Sequence, residues 1–319
     1  MTGPEGPGQQ MFESKMTSSF DYQHYSAKRP GETSGQPPLK RFARFLKHRV
    51  FYDALMLPYA LHRHRRLLRG ERTSEHTYTC FLRAPSQLEL LTGPIMQHLH
   101  ANAWPGQLQI TLLACSNGAE AYTIASWLRM TFPDLDFHIQ ASDLHPGMVA
   151  RAAAGEYSDD EALHSDYMTR YFLEATFDTG GGVYKVKPEI RRHVSFSPAS
   201  LLDGAELVSR FGTAPLVIAQ NVLFHLTPED AAKAFSNLVQ LTAPGGVMMV
   251  EGMDQDLRVE LTRQYGLEPF TENLRAIYNE TRVHTPPNWW QVYWGSEPYL
   301  PFRAHRAHRY ATAFKKRGP

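Results

Sequence analysis

The sequence predicts a doubly wound α/β fold built on a mostly parallel sheet. Short apolar runs alternate with segments of helical period between Leu108 and Val250, the pattern of parallel strands joined by crossover helices. Three of those runs end in small or polar residues that open a turn, where such sheets place their ligands. The 319 residues are 42% hydrophobic, which allows one large domain with appendages.

The elements follow in order. Residues 1–38 are rich in Gly, Pro, Ser, Thr and Gln with few aliphatics, and are read as a disordered leader. Residues 39–74 read as a basic helical segment, with Phe42, Phe45, Leu46, Val50, Leu55, Leu57 and Leu61 set among cations. The α/β domain is placed at 75–260. Its first strand runs through Leu108, Ile110 and Leu112 to Cys115, and a helix with Ala121, Ile124, Ala125 and Leu128 on one face follows. A second strand, Phe137 to Ala141, ends at Ser142-Asp143, and a helix from Pro146 to Ala154 stops at Gly155, a C-cap residue. Residues 157–193 read as an inserted subdomain, with a helical piece around Met168–Leu173 and a strand at Val183–Val186. The alternation resumes with strands at Val194–Phe196 and Leu216–Ala219. Thr227 then N-caps a helix with Pro228 at its first position, and Pro244-Gly245-Gly246 turns into a strand at Val247–Val250. Residues 261–302 read as an aromatic extension with Trp289, Trp290 and Trp294, either a segment packing against the sheet or one that covers an acceptor pocket or forms a partner surface. Residues 303–319 read as a flexible basic tail, and His305 and His308 there make a poor metal site without Cys or acidic ligands.

Composition removes several classes. No run of 18 apolar residues exists to span a membrane, and Met1–Gln10 does not read as a secretory signal. Two cysteines, Cys80 and Cys115, make no disulfide framework, so a cytoplasmic setting is expected. The formal charge is only +1, yet cations crowd residues 40–72, which fits either an acidic protein partner or a solvated helix face. Nucleic acid is not the expected partner, because no basic stripe interleaved with aromatics accompanies those cations.

The chemistry should sit at the strand ends. After the first strand, Gly118 lets the backbone turn, and the next helix offers unpaired N–H groups; an ordinary strand-to-helix turn has the same look. Asp143 ends the second strand 25 residues after Gly118, the place of a ribose-binding carboxylate, or else of a cap for the Pro146 helix. The absence of G-x-G-x-x-G argues against a dinucleotide pyrophosphate, and S-adenosylmethionine (SAM) carries a ribose without phosphate. Asn221 and His225 follow the Leu216–Ala219 strand and would face the cleft.

In order along the chain, these residues resemble the CheR-type chemotaxis-receptor glutamate methyltransferases. The matching pieces are His76 to Arg83 against T-x-F-F-R, Ala114 to Ala125 (ACSNGAEAYTIA) against A-S-T-G-E-E-P-Y-S-I-A, and Ala141-Ser142-Asp143 against A-[ST]-D-I-D. Gly155-Glu156-Tyr157, Arg170-Tyr171-Phe172, Gln220 to His225 (QNVLFH against R-N-V-L-I-Y) and Pro244-Gly245-Gly246 continue the series, which covers about residues 70–252. The resemblance implies a class I SAM-methyltransferase sheet, SAM as cofactor, and a site lined by Thr79, Arg83, Ala114, Ser116, Gly118, Glu120, Asp143, Ser200 and Asn221. It implies further that Asp143 holds the ribose, that Ala114 to Gly118 meets the methionine part with Glu120 nearby, and that Asn221 lies near the transferred methyl. The inserted subdomain would correspond to the family's small β subdomain, and the basic helices to its receptor-facing domain. This sequence departs from the pattern at Ser200 (Asn in the family), Gln220 (Arg), His225 (Tyr), Ala119 (Glu) and Ala121 (Pro).

The expected reaction is methyl transfer from SAM to a carboxylate or other oxygen nucleophile, with Arg83 orienting the acceptor. The alternatives are a small-metabolite O- or N-methyltransferase with His225 as base, and a non-catalytic SAM-binding protein.

Overall fold

A computed structural model describes residues 79–102, 104, 106–280 and 299–318, all within the larger of two compact units, His48–Pro319. The expected leader, the basic helical segment and the three clustered tryptophans lie outside the described residues.

The chain enters through α1 (Pro85–Leu90), a π-helical turn (Leu91–Ile95) and α2 (Met96–Ala101). The sheet then begins with β1 (Leu108–Leu113), followed by α3 (Ala119–Thr131), β2 (Phe137–Asp143) and α4 (Pro146–Ala154). The inserted part comprises β3 (Glu156–Ser158), α5 (Asp159–Ala162), α6 (Arg170–Thr176), β4 (Phe177–Gly180), β5 (Val183–Val186) and α7 (Pro188–Arg191). The main sheet continues with β6 (Val194–Pro198), α8 (Gly204–Phe211), β7 (Ala214–Gln220), α9 (Pro228–Leu241), β8 (Thr242–Glu251) and α10 (Gln255–Gln264). It closes with β9 (Glu268–Pro269), α11 (Leu274–Glu280), α12 (Arg306–Tyr310) and β10 (Ala313–Lys315).

The seven-stranded sheet has the order β6-β2-β1-β7-β8-β10-β9. The first five strands pair in parallel, and β10 runs antiparallel to both β8 and β9. The order reverses between β1 and β7, so the switch-point crevice opens above the carboxyl ends of those two strands. Helices cover both faces, which is why β7 is buried from Ala214 to Ala219 and reads as an unbroken apolar run rather than an alternating one. One core cluster joins β7, β8 and α9 through Val217, Ala219, Phe235, Leu238, Met248 and Val250.

Local chemistry accounts for the helix ends. The Thr227 hydroxyl accepts the Asp230 N–H at 3.2 Å ahead of Pro228, and Gly155 closes α4 at φ +63°. Residues 156–186 form a separate three-stranded antiparallel sheet, β3-β5-β4.

Three expectations change. Pro244-Gly245-Gly246 is no turn before a strand: it lies inside β8, where the pairing with β7 shifts register between Ala214 and Leu216. A Cβ on Gly246 would stand 2.8 Å from the Pro215 carbonyl oxygen, so glycine there permits a close backbone approach. Residues 306–315, expected in a flexible tail, are ordered into elements. They form α12 and β10, with Phe314 opposite Met248, and Tyr310 and Phe314 are completely buried. A three-residue strand among cations is too short to show a period in the sequence. The sheet therefore ends in residues 268–269 and 313–315, beyond the expected limit at 260.

Candidate functional site

The carboxyl ends of β1, β7 and β8 carry a concentration of left-handed backbone. Ala114 (φ +60°), Ser116 (+51°) and Gly118 (+87°) lie in the loop after β1, Asn221 (+55°) follows β7, Gly252 (+73°) follows β8, and Leu82 (+46°) lies just before Arg83. Non-glycine residues hold such angles only where their surroundings fix them, and they gather at ligand sites. Gly118 has a second constraint, since an added Cβ would meet the Ala152 Cβ at 2.8 Å.

The site has two halves joined by the β1 loop. On the β2 side, the nearly buried Asp143 accepts the Ser116 N–H at 2.8 Å through one carboxylate oxygen and the His145 N–H at 2.9 Å through the other. Asp143 thus braces the β1 loop and the entry to α4 at once, while the N-cap of α4 itself is His145, with no side-chain cap bond. Each carboxylate oxygen still has a lone pair for a further donor. Ser200 follows β6 close by, as the Ala199 N–H donates to the Asp143 carbonyl at 3.0 Å, and its hydroxyl oxygen accepts the Leu202 N–H at 3.2 Å.

On the β7–β8 side four charges alternate: Glu120, Arg83, Glu251 and Arg258. Burial raises the Glu120 carboxyl to about 7; Arg83 opposes the rise and Glu251 adds to it. Burial raises Glu251 as well, against the pull of Arg83 and Arg258 and of hydrogen bonds from the Gly252 N–H and the Asn221 side chain. The Asn221 N–H donates to the Glu251 carbonyl at 2.8 Å, so the ends of β7 and β8 are tied through both backbone and side chain. Arg258, buried in α10, donates to the Ala311 carbonyl at 3.2 Å. The Cys115 thiol is pushed up by burial and by the nearby Asp143 and Glu120, and stays protonated.

Arg83 and the half-buried Thr79 arrive on the segment ahead of α1. His225 lies in a 3-10 turn (Leu223–His225), its ring centroid 4.1 Å from that of Phe224, and the turn is pinned where the Phe224 N–H donates to the Gly252 carbonyl at 2.8 Å. The structure thus joins Ser116 to Asp143, sets Ser200 beside them, and joins Arg83, Glu120 and Asn221 through Glu251. Glu251 and Arg258 are not among the residues the sequence singles out. The sign of Glu251 was a lone acid closing an apolar run at a strand end; Arg258 left no sign at all.

The donor set suits SAM: a carboxylate for an ammonium, a guanidinium for a carboxylate, and Asp143 for a ribose diol. A family model described as CheR methyltransferase, SAM binding domain, matches residues 77–271. A chemotaxis protein methyltransferase of Listeria innocua is 27% identical over 191 residues, covering 59% of this chain and 68% of the relative. Chemotaxis protein methyltransferase 2 of Vibrio cholerae is 30% identical over 179 residues, covering 54% of this chain and 60% of the relative. An uncharacterized 104.1 kDa protein of Rhodobacter capsulatus is 31% identical over 189 residues, which are 57% of this chain and 19% of that protein. The chain therefore spans from about a fifth to about two thirds of the length of these curated relatives. Among solved structures, a putative sarcosine dimethylglycine methyltransferase from Galdieria sulphuraria is similar at 14% identity and a TM-score of 0.39, over 80% of this chain and 97% of that one. An overlay at that level adds nothing to the strand order described above.

A switch-point cleft with this donor set, on a sheet of this order, belongs to a SAM-dependent methyltransferase domain. The match over residues 77–271 narrows the class, and the chain belongs to the CheR methyltransferase family.

Proposed function

We propose that this protein transfers the methyl group of SAM to a carboxylate or other oxygen nucleophile held over the carboxyl ends of β7 and β8. The observation that carries the reading is the charge row Glu120–Arg83–Glu251 beside Asn221, set at the switch point of a CheR-family domain. SAM supplies an activated methyl group on a sulfonium. The chain then has to position, exclude water and balance charge. Asp143 would take the ribose hydroxyls, with Ser200 beside it. The loop Ala114–Gly118 and Glu120 would take the methionine part, and Thr79 and Arg83 would close over it. Asn221 would line the path of the methyl group, and Arg83 would orient an acceptor carboxylate, which is ionised at neutral pH and needs no base. An acidic protein surface docking on residues 40–72, in the cytoplasm, completes the proposal.

The test is incubation of a lysate and of candidate acidic proteins with deuterated SAM, followed by mass spectrometry. Methyl ester formation that disappears in Arg83→Ala supports the reading, whereas SAM binding without any methylated product refutes it. His225 supports a second reading, a hydroxyl- or amine-bearing metabolite as acceptor, because an imidazole four residues after Asn221 would serve such an acceptor as its base. His225→Ala with little loss of rate removes that role.

A further inference from the structure

We propose that Tyr157 and Ser165, both in the inserted subdomain, are positioning residues that hold the two strained walls of the cofactor cleft. The proposal rests on the reading that SAM occupies that cleft. One wall is the Thr79–Arg83 segment, with Leu82 at φ +46°; the other is the loop after β1, with Ser116 at +51° and Gly118 at +87°. Backbone in this region does not hold itself, and persists where neighbouring groups fix its peptide units.

Each wall is fixed by one hydroxyl from the insertion. The buried Ser165 hydroxyl donates to the Leu82 carbonyl at 3.0 Å, while the Leu82 N–H donates to the Thr123 hydroxyl at 3.3 Å, so both backbone polar groups of the strained residue are tied to side chains. The fully buried Tyr157 hydroxyl donates to the Asn117 carbonyl at 2.7 Å, between Ser116 and Gly118. One wall also packs directly on the anchor of the other. Phe81, next to Leu82, meets the Tyr157 ring edge-on at 4.8 Å and the Phe177 ring at 5.0 Å. Burial pushes the Tyr157 phenol up, which keeps its proton available for donation. Neither hydroxyl takes part in the backbone pairing of β3 with β5, so removing one leaves that small sheet its own hydrogen bonds. The insertion is therefore a clamp: it ties together two segments of the main domain that meet at the ligand and are distant in sequence.

The experiment compares the full chain with Tyr157→Phe, Ser165→Ala and Ser165→Thr. Three quantities are read: the SAM dissociation constant by calorimetry, hydrogen exchange at amides 80–83 and 116–120 without ligand, and the Tm. Tyr157→Phe keeps the ring packed on Phe81, and Ser165→Thr keeps the hydroxyl. Loss of one such bond should weaken SAM about two- to twelvefold in Tyr157→Phe and Ser165→Ala. Exchange should quicken at 116–120 in the first and at 80–83 in the second, and Ser165→Thr should restore both readouts. A lowered Tm with unchanged SAM affinity and unchanged exchange overturns the proposal, since the hydroxyls are then merely structural. If the wild-type chain binds no SAM, the cofactor reading fails; exchange at 116–120 still decides the clamp, and unchanged exchange in Tyr157→Phe sinks it.

Discussion

Replacing Glu120 by Gln removes a carboxylate that burial has raised to about 7, with Glu251 adding to the rise and Arg83 opposing it. If that carboxylate takes the SAM ammonium, binding and ionisation are linked. The sign follows from the direction of the shift. Below its pKa the group is mostly neutral, a cationic ligand favours the ionised form, and affinity rises as pH rises. A carboxyl of pKa 7 is ionised in about 3% of molecules at pH 5.5 and in about half at pH 7.0. If only the ionised form binds, affinity should grow about sixteenfold over that interval, or about 1.6 kcal/mol. Calorimetric titration with SAM at several pH values measures the slope, and buffers of different ionisation enthalpy count the proton released. Glu120→Gln should flatten the profile and abolish the proton release. A flat wild-type profile, or the same slope in Glu120→Gln, would refute the assignment of this group to the ammonium.

Glu251→Gln removes a charge that helps to hold Glu120 up, so the midpoint of the same binding curve should move to lower pH; an upward movement contradicts the charge row. Phe314→Ala should cost about 3–5 kcal/mol in urea unfolding, because the ring is wholly buried opposite Met248; a loss under about 1 kcal/mol would return residues 303–319 to a loose tail. Gly118→Ala should lower stability by about 1–3 kcal/mol, given φ +87° and an added methyl 2.8 Å from Ala152, and an unchanged Tm would count against the loop geometry.

Much of the frame was legible because it is written locally. Strand-helix alternation, the Thr227-Pro228 cap and the Gly155 stop are each decided by a few consecutive residues. The place of Asp143 at the end of β2 was legible because the apolar alternation of that strand stops there. What escaped depends on contacts remote in sequence. Glu251 gains meaning only when β8 lies beside β7 and Arg83 folds across from a point 168 residues earlier. Gly155-Glu156-Tyr157 was visible as a motif, yet nothing in it says that the phenol reaches the Asn117 carbonyl. The strand β10 escaped for another reason: three residues cannot display a period, and the cations around them imitate a solvated end.

That strand has a consequence for biosynthesis. Ala313 pairs with Met249, 64 positions earlier. While a ribosome covers that interval, about 3 to 13 s at ordinary elongation rates, β8 has one ladder edge with no partner. The bare edge belongs to Val247, Met248 and Met249, an apolar stretch of the kind that recruits strands from neighbouring nascent chains. Chains arrested after β8 has left the ribosome and before β10 can pair with it should therefore engage holdase chaperones or aggregate on polysomes.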